Sequence, residues 1–258
     1  MGTVNIEIDK LLVGWLMNTE ELAIYTNASK ELPVTIIATS ITSVLLPKIV
    51  NLIKHNKNQE AVQLWGYATE LSYIVICLIV AGVFAYADDV LTLLYSEKYI
   101  SGLPVFRVYT LVLLLRCTYF GMILNAYGKS RMIFYSSILS LLLNCLLNPL
   151  LFWFLGIAGP AIATFLAMLI VTIMQLKLTS RYLGMNVKNI FPWNKIGFIS
   201  LLNVTLACAF WILKNTIEME KYTGEILESI FLGLIWAGIY FLVMKKEIAY
   251  LWSKLNNT

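Results

Sequence analysis

The sequence predicts an all-α polytopic membrane protein of about eight transmembrane helices, one six-helix lobe plus two additional C-terminal helices. Three observations predict it. Hydrophobic residues fill 59% of the 258 positions and charged residues only 13%, with a mean hydropathy of +0.77, whereas a soluble domain carries about 25% charged residues. The apolar residues fall into runs close to the ~20 residues that a bilayer-spanning helix needs. Basic residues gather in alternate joints between those runs, as the bias toward positive cytoplasmic loops requires.

Eight apolar segments are expected, over 6–17, 20–47, 68–87, 104–126, 132–155, 157–177, 196–213 and 226–244. The first is too short for a complete span, and with no basic opening and cleavage site ahead of it, no secretory signal is expected to be removed. The second starts at Asn18 or Thr19 followed by Glu20 and Glu21, where carboxylates meet the positive end of the helix dipole, and it bends at Pro33. Between the third and fourth, DDVLTLLYSEKYISGL is either an amphipathic helix on the membrane surface or a plain connecting loop. The sixth follows Gly156 and Gly159 with Pro160 in its first turn, where the missing amide costs nothing. Gly159, Ala163 and Ala167 make a packing stripe at four-residue spacing. Cys77, Cys117, Cys145 and Cys208 all fall in apolar runs without metal-site or disulfide spacing, and are expected to be buried free thiols.

After the even segments come Lys48, Lys54 and Lys57, then Lys129 and Arg131, then Lys177, Arg181, Lys188 and Lys195, then Lys245, Lys246 and Lys254. After the odd ones come only Lys98, Lys214 and Lys221, among Glu20, Glu21, Asp88, Asp89, Glu97, Glu218, Glu220, Glu225 and Glu228. The even loops and both termini are therefore expected in the cytoplasm. Trp15, Trp153 and Trp211 fall at expected outer ends and Trp65, Trp193 and Trp252 at inner ends, leaving only Trp236 mid-span.

Four charges lie deep. Asp9 and Lys10 sit about 12 Å below the outer end near Asn18, and Lys30 and Arg116 about 16 to 18 Å deep in the second and fourth segments, at 1.5 Å per residue. A cation at such depth costs about 2.5 to 3.5 kcal/mol and usually faces the bundle interior or a wet cavity. One reading pairs Lys10 with Asp9 and Lys30 with Glu31, leaving Arg116 unmatched, although neighbours on a helix point about 100° apart. The other places Asp9, Lys10, Lys30 and Arg116 on a cavity wall. Arg107 is one turn from the surface and can snorkel, and Glu70 is read as an interfacial acid. Asn144 and Asn148, four apart on one face beside Pro149, either hydrogen-bond to a neighbouring helix or line the same cavity. Asp88 and Asp89 are read as part of a solvated acidic loop. His55 is the only histidine, and no carboxylate pair, metal-ligand cluster or phosphate-cradling loop marks an enzyme; no cofactor, metal or nucleic acid is expected.

The order of IDKLLVGW, IYTNASKELP, ATSITSVLLPKIVNL, LNAYGKSR and LLNCLLNPLLFWFLGIAGPAIAT resembles the second half of bacterial polysaccharide flippases, the Wzx-like branch of the multidrug/oligosaccharidyl-lipid/polysaccharide exporter superfamily. The resemblance implies two six-helix lobes related by an axis along the membrane normal, with a cationic cavity between them for a lipid-linked pyrophosphate sugar. Residues 1–181 would form the second lobe with its first helix truncated, 182–195 a cytoplasmic linker, and 196–258 two additional helices and a cytoplasmic tail. The first lobe is missing from this pattern. Asp9 and Lys10 align with a charged pair of the family, whereas Arg116 is a candidate from depth alone.

The function expected is that of a half-length or truncated flippase in the cytoplasmic membrane. It would move an undecaprenyl-diphosphate-linked sugar with an N-terminal-lobe polypeptide or a second copy as partner. The cavity would hold Asp9, Lys10, Lys30, Arg116, Asn144 and Asn148. The alternatives are a cation-coupled drug exporter of the same superfamily, which would favour a carboxylate-rich pocket, and a non-transporting scaffold or gene remnant in a glycan assembly complex.

Overall fold

The computed structural model describes residues 10–11, 13–15, 17–30, 32–216 and 225–256. Asp9 and Glu31, and with them the Asp9–Lys10 and Lys30–Glu31 pairings, lie outside the described residues, as do Glu218, Glu220 and Lys221. The elements are α1 Thr19–Ala28, α2 Thr35–Lys54, α3 Asn58–Ala85, α4 Ala87–Tyr95, a 3-10 stretch Glu97–Gly102, α5 Leu103–Leu115, α6 Met122–Ala126, α7 Ser130–Leu155, α8 Ala158–Leu183, α9 Val187–Ile190, α10 Trp193–Thr216 and α11 Glu225–Asn256. Residues 10–11 and 13–15 are helical too. Among the described residues seven helices are long and apolar enough to cross a membrane. The chain is an all-α, multi-pass membrane protein.

Two of the expected spans are interrupted. α1 begins at a capping box, in which Asn18 Oδ1 accepts from the Glu21 amide at 2.9 Å and Glu21 Oε2 accepts from the Asn18 amide at 3.3 Å. It ends at Ala28, and Pro33, which disfavours helical backbone at Leu32, holds the chain out of the helix until Thr35. The fourth expected span likewise stops at Leu115 and resumes only at Met122. Thr118, inside that break, accepts through its hydroxyl from Trp65 Nε1 at 3.0 Å and from Thr69 Oγ1 at 2.9 Å, so α3 ties the break in place through a side chain. Trp65, expected at an interface, is therefore fully buried beside Phe191.

α3 is the axle of the bundle, packed by α2, α5, α10 and α11. The final pair, α10 and α11, is fixed to it at several depths. The Tyr73 and Ser200 hydroxyls lie 2.6 Å apart, Tyr240 OH donates to the Ile74 carbonyl at 3.0 Å, and Trp236 stacks on Phe210 with centroids 5.9 Å apart. Residues 87–102 are helical rather than a plain loop. Asp89, expected in a solvated loop, is buried: it accepts from Lys214 of α10 and Ser229 of α11. Asp88 beside it is exposed as expected, and only the burial of Asp89 against the final helices was concealed by the sequence position.

α7 and α8 form a tight antiparallel hairpin. Gly156 turns the chain at φ +58°, and at Gly159 an added Cβ would stand 2.3 Å from the Leu151 carbonyl oxygen. Ala163 and Ala167 continue the close approach, both fully buried. Cys77 and Cys117 are buried as expected, but Cys145 and Cys208 lie on exposed helix faces, where acyl chains solvate a thiol about as well as a core does. The Gly159→Ala variant is expected to lose about 1 to 3 kcal/mol of stability, measured by denaturant titration of the detergent-solubilised chain.

Candidate functional site

The cations predicted from depth occupy the ends of broken helices. Lys30 follows the C-terminus of α1, exposed, with its ammonium 3.1 Å from Asn27 Oδ1 and 5.5 Å from the centroid of the Tyr95 ring. Burial pushes the Tyr95 hydroxyl above its ordinary pKa, so the ring meets the lysine as a neutral phenol. Beside Lys30, residues Leu32, Phe106, Tyr109, Thr110 and Leu113 close around a crevice too narrow to admit water. Arg116 is the C-cap of α5, half-buried one turn beyond Leu113. Lys10 is half-buried in the helical stretch before α1. One turn after it, Val13 packs into the cluster of Tyr25, Phe106, Tyr109 and Ala161. The elements bearing Lys10, Lys30 and Arg116 thus meet around α5, while Asp9 lies outside the described residues.

Asn144 and Asn148 stand elsewhere. Both are fully buried on α7, and Asn144 Oδ1 accepts from Thr164 of α8 at 3.3 Å. Of the two roles open for Asn144, interhelical bonding is the one this contact displays. Neither asparagine lines the Lys30 cleft or the groove described next.

Sequence reasoning passed over that groove. A cavity of 550 Å³ lies between α3, α5 and α10, with Phe84, Leu111, Leu114 and Trp211 among its apolar walls and Tyr73, Ser200 and Asn203 at its polar margin. Arg107 lines it too, its guanidinium 5.8 Å from the Phe84 ring centroid. Among the described residues Arg107 Nε and Asn203 Oδ1 are buried without a hydrogen-bond partner. The signal in the sequence was the row Arg107, Leu111 and Leu114, which shares one face of α5. The cleft row Phe106, Thr110 and Leu113 lies about 100° round the same helix. One helix therefore carries the packed crevice beside Lys30 and an apolar groove on adjoining faces.

The family model for the lipid II flippase MurJ matches residues 9–234. The chain belongs to that family. A further relative is a probable low-salt glycan biosynthesis flippase, Agl15, of Haloferax volcanii, 18% identical over 231 residues that cover 88% of this chain and 48% of the relative. The chain spans about half the length of that curated relative, and no solved structure matches it. Both matches are named as flippases, and neither singles out the Wzx-like branch.

The exposure of the thiols reports the groove directly, because Cys208 lines it. A membrane-permeant maleimide is expected to modify Cys145 and Cys208 in the folded chain and to reach Cys77 and Cys117 only after unfolding, as read by mass spectrometry of the peptides.

Proposed function

We propose that this chain forms one lobe of a flippase that carries a saccharide linked through diphosphate to a polyprenyl lipid, of the undecaprenyl type, from the inner to the outer face of the cell membrane. The observation that carries the reading is the two-faced α5. A lipid diphosphate needs cations for its head and an apolar channel for its chain; α5 lines the 550 Å³ groove with Arg107 on one face and packs against the crevice beside Lys30 on the next. The deep cations attract the diphosphate electrostatically, with no covalent step. The Wzx-like motifs favour an oligosaccharide unit destined for polysaccharide over a single sugar. A drug exporter coupled to a cation would want acids in its pocket, whereas the lining residues of both cavities include no carboxylate.

The opposite wall of the transport path comes from another lobe, whether a separate polypeptide, a further stretch of a longer chain or a second copy. Both termini, with the basic loops, face the cytoplasm. Residues 182–195 link the six-helix lobe to α10 and α11. Opening to one side and then the other follows from rocking of one lobe against the other around the site between them.

In vesicles that hold the chain assembled with its opposite lobe, the triple variant Lys10→Ala, Lys30→Ala, Arg116→Ala is expected to insert normally and to cut transport of a fluorescent polyprenyl-diphosphate sugar at least tenfold, the rate equivalent of about 1.4 kcal/mol. Unchanged transport sinks the cationic path. Vesicles holding this chain alone as a monomer are expected to show none.

A further inference from the structure

Glu70 lies twelve positions into α3, in the body of a membrane-spanning helix, and only 5% of it is exposed. Lys195, near the start of α10, sits 3.9 Å from Glu70 Oε1, too far for a hydrogen bond, and gives its close contact instead to Glu247 of α11 at 2.6 Å. As a carboxylate, Glu70 Oε1 finds no hydrogen-bond donor among the described residues. Two acids thus share one ammonium, and the acid with the poorer share is the buried one. The remaining groups at this place are Tyr67 of α3 and Tyr250 of α11, whose rings meet edge to face at 6.2 Å. The bases of the other helices packed on α3 are Lys48 and Lys54 of α2, Arg107 of α5 and Lys188 of α9. None makes an ion pair with Glu70, and Asp88 and Asp89 of α4 lie at the other end of α3.

We propose that Glu70 is a proton-binding site, holding one exchangeable proton against Glu247 and Lys195 where α10 and α11 dock on α3. A buried carboxylate with an oxygen that finds no donor is costly, and a proton removes the cost by making the group neutral. Protonated, Glu70 is a donor, and the neighbouring Glu247 carboxylate is the acceptor beside it. The cluster then holds Lys195 and Glu247 as a balanced pair. Without the proton it carries one negative charge in excess at the seam between the lobe and the final helix pair. Lys195 has half its side chain exposed, which gives the proton a route to water. The inference does not rest on the flippase reading.

The test is the infrared carbonyl stretch of protonated carboxyl groups, followed in the full chain in lipid vesicles between about pH 5 and pH 9, a range that brackets buried carboxyl groups. The wild type is expected to lose a band as pH rises, and Glu70→Gln to lack that band while Cys77 and Cys117 stay protected from maleimide. Glu247→Gln leaves Lys195 to Glu70 alone, so the band is expected to vanish at least one pH unit lower, a tenfold weaker hold on the proton. The same band in wild type and Glu70→Gln overturns the proposal. If Glu70→Gln loses its fold, Glu247→Gln decides, and an unmoved midpoint overturns it. Neither arm reads lipid movement: a titrating band in a chain that flips nothing would count against the flippase alone.

Discussion

Acyl chains offer no hydrogen bonds, so a polar group inside the bilayer must find its partner within the protein. α3 is where this chain meets that demand. Along its length it supplies Trp65 and Thr69 to the broken stretch at Thr118, Tyr73 to Ser200, and the Ile74 carbonyl to Tyr240. Between Thr69 and Tyr73, Glu70 faces Lys195, and just past the C-terminal end Asp89 holds Lys214 and Ser229. Remove α3 and the break after Arg116 has unpaired groups, the final helix pair has no seat, and the groove between α3, α5 and α10 has lost a wall.

The breaks in turn decide where the deep cations can stand. Lys30 follows the C-terminus of α1 and Arg116 caps that of α5, so each sits at the negative end of a helix dipole. Such placement returns about 0.3 to 1 kcal/mol per cation, a fraction of the roughly 2.5 to 3.5 kcal/mol that membrane depth costs. The dipoles alone do not account for the charges. Lys30 adds its contacts with Asn27 Oδ1 and the Tyr95 ring, and such composite settings set cations at broken helices apart from lysines in loops.

Patterns local in sequence were legible, and pairings across sequence were not. The apolar runs mark the spans, Asn18 with Glu21 marks the start of α1, and Gly156 with the Gly159 stripe marks the α7–α8 hairpin, each signal lying within a few residues of its effect. Arg107, Glu70 and Asp89 were each assigned a surface role because their environments come from helices distant in the chain: α10 and α11 are more than 85 residues away from each of them. Trp65 looked interfacial for the same reason, its partner Thr118 lying 53 residues on. The asparagines were left with two roles because a shared face says which way they point and not what meets them. The breaks were half legible: Pro33 signals the first, but no proline or glycine pair announces the second before Gly121.

α5 is short because of that second break, and its shortness matters to the proposed path. The cleft row and the groove row run down adjoining faces and end together at Leu113 and Leu114, just where the helix stops and Arg116 turns out. A continuous helix would keep the Lys30 side and the groove apart through the whole membrane. Ending α5 at Leu115 confines that separation to the part of the bilayer it spans. Under the proposed function, a carrier could then keep its chain in the groove while its diphosphate passes round the end of α5, between Arg116 and Lys30. The polar bonds that hold Thr118 to α3 would in that case serve transport as well as stability, since they keep the end of the wall fixed while the lobes rock.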